Sequence, residues 1–93
     1  MERITEKMLQ GFIDYLNKIT GQPMTPYTRT GDKLTANIGN YHIECAYGGY
    51  QLVQMVSEGG GIRTITGGFC PKRELYYLTR AYTDGIIEAG KSK

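Results

Sequence analysis

The chain has 93 residues, 40% of them apolar, and a formal net charge of +2. This length permits one domain with a small core, and the apolar content excludes a disordered chain. No apolar run reaches the roughly 18–20 residues of a membrane span, and residues 1–6 lack the apolar core of a signal peptide. We therefore expect a single cytoplasmic domain over residues 1–93 with no membrane contact.

The few reactive side chains limit the chemistry that the chain can perform. It has two cysteines, Cys45 and Cys70, and one histidine, His42. Two cysteines are too few for a disulfide framework, so reduced intracellular thiols are the expectation. No CxxC pair, phosphate-loop motif or GxGxxG motif is present, so we expect no metal, no cofactor and no enzymatic activity.

The N-terminal segment is typical of an amphipathic helix. Residues 4–19 repeat apolar side chains at the 3.6-residue period, and Gly21 and Pro23 follow as stop signals. The predicted inward residues are Ile4, Met8, Leu9, Phe12, Ile13, Leu16 and Ile19. Residues 21–32 are predicted as an ordered loop with a short extended piece at Tyr27–Thr30.

Residues 33–57 alternate in a way that predicts three antiparallel strands. Two-residue turns are expected at Gly39-Asn40 and Gly48-Gly49, which would place Ile43 opposite both Ala36 and Gln54. The register assigns these residues to a core face: Leu34, Ala36, Ile38, Tyr41, Ile43, Cys45, Tyr47, Tyr50, Leu52, Gln54 and Val56. The opposite face, predicted to be wet, carries Lys33, Thr35, Asn37, His42, Glu44, Ala46, Gln51, Val53 and Met55.

The rest of the chain predicts a short strand and a long helix. Ile62–Thr66 is a candidate fourth strand, and a second helix is expected from Pro71 to Ala89. Its predicted inward stripe is Leu75, Leu78, Ala81, Tyr82, Ile86 and Ala89. The element order indicates an α+β two-layer sandwich in which an N-terminal and a C-terminal helix cover one face of a three- to four-stranded antiparallel meander.

The outer face of the second helix is the main candidate for partner binding. On a helical wheel Arg73, Tyr76, Arg80 and Ile87 gather opposite the core stripe, and Lys72 adjoins them at the helix start. Exposed tyrosine and arginine beside an aliphatic residue are typical of protein interfaces. The same groups are equally suited to phosphates and stacked bases, and a solvated helix face is the simpler alternative.

The start of this helix is a second candidate site. Gly67, Gly68, Lys72 and Arg73 are predicted as an anion-binding corner, because helix N-termini attract negative charge. An ordinary glycine turn is the alternative. Cys70 precedes the two cations, and a helix dipole with neighbouring positive charge lowers a thiol pKa. A small buried residue is the alternative for Cys70.

The expected wet face of the sheet holds one acid–base pair. His42 and Glu44 lie two residues apart on one predicted strand and would project to the same side. A general base with an orienting carboxylate has this arrangement. An ordinary solvated strand face has it too, and the predicted register brings no nucleophile towards the pair.

Two resemblances add to these patterns. The order helix, three strands, helix, with Lys72-Arg73 opening the last helix, resembles double-stranded RNA-binding domains, which implies RNA contact through that basic corner. Residues 71–82, with their Lys-Arg-Glu-Leu start, resemble the last helix of small phage and mobile-element proteins, which implies an accessory protein that acts by binding. We expect a non-enzymatic protein that binds another protein or itself. A nucleic-acid binder is the alternative, and a thiol-dependent protein using Cys70 is the third hypothesis.

Overall fold

The computed structural model describes residues 3–91, and the rest of the predicted 1–93 domain lies outside them. The elements in chain order are α1 Glu6–Thr20, β1 Tyr27–Thr30, β2 Lys33–Ala36, β3 Tyr41–Ala46, β4 Gly49–Met55, β5 Ile62–Thr64 and α2 Lys72–Lys91. The strands form two antiparallel sheets, β1–β2 and β3–β4–β5. The predicted α+β class with a helix at each end is confirmed.

Helix α1 has a cap at each end. The Thr5 hydroxyl oxygen accepts a hydrogen bond from the Met8 amide at 3.1 Å, and Gly21 ends the helix at φ 71°. A left-handed backbone of this kind favours glycine. The buried face holds Leu9, Ile13 and Leu16 as predicted. The predicted inward residues Met8 and Ile19 are each 37% exposed, and the polar Asn17 is buried instead.

The predicted two-residue hairpin at Gly39-Asn40, which would pair residues 33–38 with 41–46, does not form. Strand β2 pairs with β1, with Thr30 opposite Lys33, so the first hairpin turns at Gly31-Asp32. Asn40 instead accepts a backbone hydrogen bond from Met55 and continues the line of β3 beside β4. The buried side-chain amide of Asn40 donates to the Pro23 carbonyl at 2.8 Å. The Asn40 backbone amide closes a β-turn by donating to the Asn37 carbonyl at 3.2 Å, but this turn joins no paired strands.

The second hairpin turns one residue earlier than predicted. Its loop is Tyr47-Gly48, both with positive φ (53° and 72°), and Ala46 lies opposite Gly49. Positive φ at both loop positions defines the turn type that matches strand twist. The strand register consequently shifts by two residues. A two-residue shift leaves every β3 and β4 side chain on its predicted face.

Both helices pack on the predicted core face of the three-stranded sheet. The buried cluster joins residues of α1, the sheet and α2: Leu9, Ile13, Leu16, Tyr41, Leu52 and Leu75. The opposite face is not wet as predicted. Gln51, Val53 and Met55 are buried there, with exposures of 7%, 0% and 1%. Strand β4 is the central strand of the sheet and lies between β3 and β5.

Helix α2 is rotated relative to the predicted wheel. Leu75 is fully buried, but Leu78 is 42% exposed and Ala81 is also exposed. Two threonines, Thr79 and Thr83, occupy the buried stripe. The Thr83 hydroxyl donates to the Thr79 carbonyl at 2.7 Å, which satisfies a buried polar group within the helix itself. Polar residues in the stripe explain why an apolar pattern misplaced the face.

Candidate functional site

Among the described residues, the most exposed large hydrophobic side chain lies at the tip of the β3–β4 hairpin. Tyr47 is 95% exposed. Within residues 3–91 it is also the only non-glycine residue with positive φ, at 53°. A left-handed backbone costs a side-chain-bearing residue roughly 1 kcal/mol. The hairpin therefore combines a strained backbone at Tyr47 with an almost fully exposed ring.

Phe69 lies beside Tyr47 because the chain before α2 runs along β4. Tyr50 and Cys70 exchange two backbone hydrogen bonds of 2.8 Å each, which fixes Phe69 against the hairpin. A Cβ atom on Gly49 would lie 3.1 Å from the Cys70 amide nitrogen, so this close approach favours glycine. The Tyr47 and Phe69 rings meet edge to face, with centroids 5.6 Å apart.

Two cations at the start of α2 complete this surface. Lys72 is half-buried, and its Nζ lies 5.9 Å from the centroid of the Tyr50 ring, in cation–π range. Arg73 follows it and is exposed. We name the group of Tyr47, Phe69, Lys72 and Arg73 the aromatic–basic corner. It combines exposed aromatic area at the hairpin tip with positive charge at the start of α2.

The predicted outer face of α2 is only partly exposed. Arg80 is exposed, whereas Ile87 is half-buried. Tyr76 packs against the core cluster, and its ring meets Phe12 of α1 edge to face at 5.6 Å. Its predicted position opposite the core is therefore wrong. Tyr77, the next residue along α2, is 52% exposed.

The predicted anion site keeps its glycine turn. Gly67 and Gly68 have φ 80° and 149°, and they connect β5 to the segment that pairs with β4. The ammonium of Lys72 lies over the Tyr50 ring. The turn thus has a structural role, in positioning Phe69 and Cys70, that needs no anion.

The pKa of the Cys70 thiol is shifted upward, whereas the helix dipole and neighbouring cations predict a downward shift. Burial, followed by the charge of Glu74 and a hydrogen bond with it, raises the pKa of Cys70. Its Sγ donates to the Tyr50 carbonyl at 3.4 Å. The cations Lys72 and Arg73 therefore do not activate this thiol. Cys45 and Cys70 are both unpaired.

His42 and Glu44 lie on the same face, as predicted, but each has its own partner. His42 Nδ1 lies 3.1 Å from Asn40 Oδ1, and Glu44 Oε1 accepts from Gln51 Nε2 at 2.9 Å. Burial lowers the pKa of His42 below its usual value near 6.5, and the charge of Glu44 opposes this effect. The pair therefore belongs to a hydrogen-bonded polar layer on this face of the sheet.

This depressed His42 pKa predicts a loss of stability in weak acid. Below about pH 6.5 the unfolded chain takes up a proton that the folded imidazole resists, so stability falls as the pH is lowered through this window. Urea midpoints at about pH 7.5 and about pH 5.5 measure the effect, and His42→Gln should show a smaller difference between them. Equal differences in the two proteins would contradict this assignment.

The comparisons with protein families, curated proteins and solved structures find no match to this chain. They support neither of the two resemblances. Neither helix within residues 3–91 is long and apolar enough to cross a membrane. The same residues contain no group of three His, Cys, Asp or Glu side chains arranged to hold a metal ion.

Sequence reasoning missed Tyr47 and Phe69 as functional candidates. Tyr47 was placed in a strand because Gly48-Gly49 is the more obvious turn pair. A turn of the observed type takes positive φ at both positions, and Tyr47-Gly48 meets this demand only with strain. The one available signal was the aromatic residue immediately before the glycine pair.

Proposed function

We propose that this chain is a non-enzymatic binding protein that recognises another protein through the aromatic–basic corner. The observation that carries the proposal is Tyr47, an almost fully exposed ring held on a strained backbone at a hairpin tip. Strain of this kind is concentrated at functional positions. Tyrosine and arginine are also the residue types that dominate binding energy in protein interfaces.

The extent of the surface supports a macromolecular partner. The accessible surface is 6165 Å², whereas a compact 10.4 kDa monomer has about 5,400 Å². The chain is therefore less compact than a typical monomer of its mass and exposes more surface to a partner. The radius of gyration, 13.8 Å, also exceeds the ~12 Å of a compact chain of this length.

The proposal includes a setting for this activity. An accessory role of phage or mobile-element type is inferred from the resemblance of residues 71–82 alone. A cytoplasmic location is supported by the two unpaired cysteines, since thiols stay reduced in that compartment. Absence of catalysis is inferred from the partnered state of His42 and the raised pKa of Cys70.

Tyr47→Asn tests the corner directly. Asparagine tolerates the left-handed backbone, so this variant should be as stable as the original chain or more stable by up to about 1 kcal/mol. Removal of the ring should weaken partner binding at least tenfold. Affinity capture with both proteins identifies partners that only the original chain retains, and binding is then measured with purified components.

Tyr77→Asn is the matched control, because Tyr77 is a half-exposed tyrosine on the outer face of α2. It should bind the same partner with unchanged affinity. If Tyr77→Asn and Arg80→Ala lose the partner while Tyr47→Asn keeps it, the interface is the outer face of α2 and the corner proposal is wrong. Unfolding of Tyr47→Asn would show a structural role for the ring.

A second candidate function, nucleic-acid binding, is favoured by one feature of the architecture. Both helices cover one face of an antiparallel sheet, and Lys72 and Arg73 open the last helix next to a hairpin tip. Cations and a stacking ring suit a phosphate backbone and its bases. Binding of mixed DNA and RNA that weakens steeply with salt, and that requires Lys72, would replace the protein partner with this one.

A further inference from the structure

Strand β3 has an outer edge whose backbone groups alternate in direction. In an antiparallel pair, every second residue turns its amide and carbonyl away from the partner strand. In β4, the backbone amide and carbonyl groups of Tyr50 and Leu52 point towards the β5 side, where those of Tyr50 form hydrogen bonds with Cys70. Their cross-strand neighbours are Cys45 and Ile43. The backbone groups of Cys45 and Ile43 therefore point outward, away from β4.

Helix α1 covers this edge at one end only. The buried Asn17 side chain donates to the Tyr41 carbonyl at 2.9 Å and accepts from the Tyr41 amide at 2.8 Å. One amide side chain thus occupies the place of a neighbouring strand at Tyr41. In the part of the chain that the structure describes, no comparable hydrogen bond reaches the outward groups of Ile43 and Cys45.

The uncovered part of the edge lies in a groove. A cleft of about 380 Å³ separates β3 from the first turns of α1. Its lining residues are Glu6, Lys7, Leu9, Gln10, Ile43, Cys45 and Tyr50. Ile43 and Cys45 supply apolar surface, and the Tyr50 hydroxyl donates to Glu6 Oε1 at 2.8 Å across the groove. Free strand edges beside such grooves bind extended peptides by strand addition.

We propose that this β3-edge groove binds an extended segment of a partner protein as an added strand. The segment hydrogen-bonds with the backbone of Ile43 and Cys45. Its residues opposite these two positions point into the groove and are apolar. Its residue between them lies opposite Glu44, on the other face of the sheet, and is lysine or arginine. The recognised pattern is thus apolar–basic–apolar.

The charge of Glu44 decides between a peptide and a second copy of this chain. Two β3 edges pairing antiparallel through both outward residues would place Ile43 opposite Cys45 and Glu44 opposite Glu44. Like charges directly opposite each other destabilise a strand pair. A basic residue at the same position is attracted instead, so the groove favours a different chain.

This site goes beyond the aromatic–basic corner and shares no residue with it. The test uses capped five-residue peptides, Ser-Val-X-Val-Ser, with X as lysine or glutamate, titrated into the full chain and followed by amide NMR shifts. The lysine peptide should bind saturably with shifts centred on β3, and the glutamate peptide at least tenfold more weakly. No saturable binding of either peptide up to about 1 mM overturns the proposal.

Cys45→Pro tests the edge itself. Proline removes only the outward amide, since Cys45 does not use it in the β4 ladder, and its ring blocks an incoming strand. Peptide binding should be lost in this variant, whereas Cys45→Ala, which keeps the outward amide and removes only the thiol from the groove, should weaken binding by no more than about threefold. A folded Cys45→Pro that binds normally overturns the proposal.

Glu44→Lys provides a readout that does not depend on the proline variant folding. The charge reversal should invert the peptide preference, so that the glutamate peptide binds more tightly than the lysine peptide. An unchanged preference overturns the assigned register. A dimer of the protein alone, with shifts at β3 on dilution, would identify a second copy as the occupant and overturn the peptide assignment.

Discussion

Replacing Asn17 with leucine is expected to lower the free energy of unfolding by about 3 kcal/mol. The Asn17 amide makes two hydrogen bonds, of 2.8 and 2.9 Å, to the backbone of Tyr41, and both residues are buried. Leucine would leave the Tyr41 amide and carbonyl without partners, and each unsatisfied buried group costs about 1–3 kcal/mol. Urea denaturation measures the loss.

Gln10→Leu is the matched control for Asn17→Leu. Gln10 is exposed on the same helix, and its side chain donates only to Asp14 Oδ1 at 3.0 Å. Its replacement should change stability by no more than about 0.5 kcal/mol. Amide exchange adds a local readout, since the Tyr41 amide should exchange faster in Asn17→Leu even when the rest of the sheet stays protected. Equal stability of the two variants would contradict the role assigned to Asn17.

Asn17 illustrates which part of the fold was predictable. Periodicity places Leu9, Ile13 and Leu16 on one helix face, because apolar burial at a fixed angular spacing leaves a trace in the sequence. A buried asparagine leaves no such trace. Its burial is favourable only because the Tyr41 backbone lies opposite it, 24 residues along the chain. Long-range polar pairs of this kind are set by tertiary structure.

The sequence predicted which face of the sheet each side chain occupies, but it did not predict which strands pair. Alternation assigned β3 and β4 side chains to the correct faces, since a period of two survives a register shift of two. The partner of β2 was not encoded in alternation. Gly39-Asn40 and Gly31-Asp32 are both acceptable hairpin turns, and burial of the Asn40 amide against Pro23 favours the second.

Of the aromatic–basic corner, only the two cations were predictable from the sequence. Lys72 and Arg73 follow a proline at a helix start, so their position was evident from local signals. Tyr47 and Phe69 come together through the pairing of Tyr50 with Cys70, which no local pattern indicates. Tyr76 was misplaced because threonines in the buried stripe shifted the apparent apolar face of α2. The β3-edge groove depends on two elements far apart in sequence.

Val53→Asp is expected to lower the free energy of unfolding by at least about 4 kcal/mol. Val53 is fully buried on the sheet face that alternation assigned to solvent. A carboxylate there has no partner, and burial of an unpaired charge costs at least about 4 kcal/mol. A domain of this size has a total stability of roughly 5–14 kcal/mol, so this loss removes a large share of it. Circular dichroism with urea denaturation measures the outcome.

Val56→Asp separates burial from a general intolerance of charge near the end of β4. Val56 is the same residue type three positions further on and is 47% exposed, and its amide donates to the Gly61 carbonyl at 2.9 Å. Aspartate keeps that backbone bond and reaches water, so the change should cost about 1 kcal/mol or less. A mild Val53→Asp beside a severe Val56→Asp would mean that β4 faces the opposite way. In that case Ile43 and Cys45 would turn towards β4, and the β3-edge groove would lose its free backbone groups.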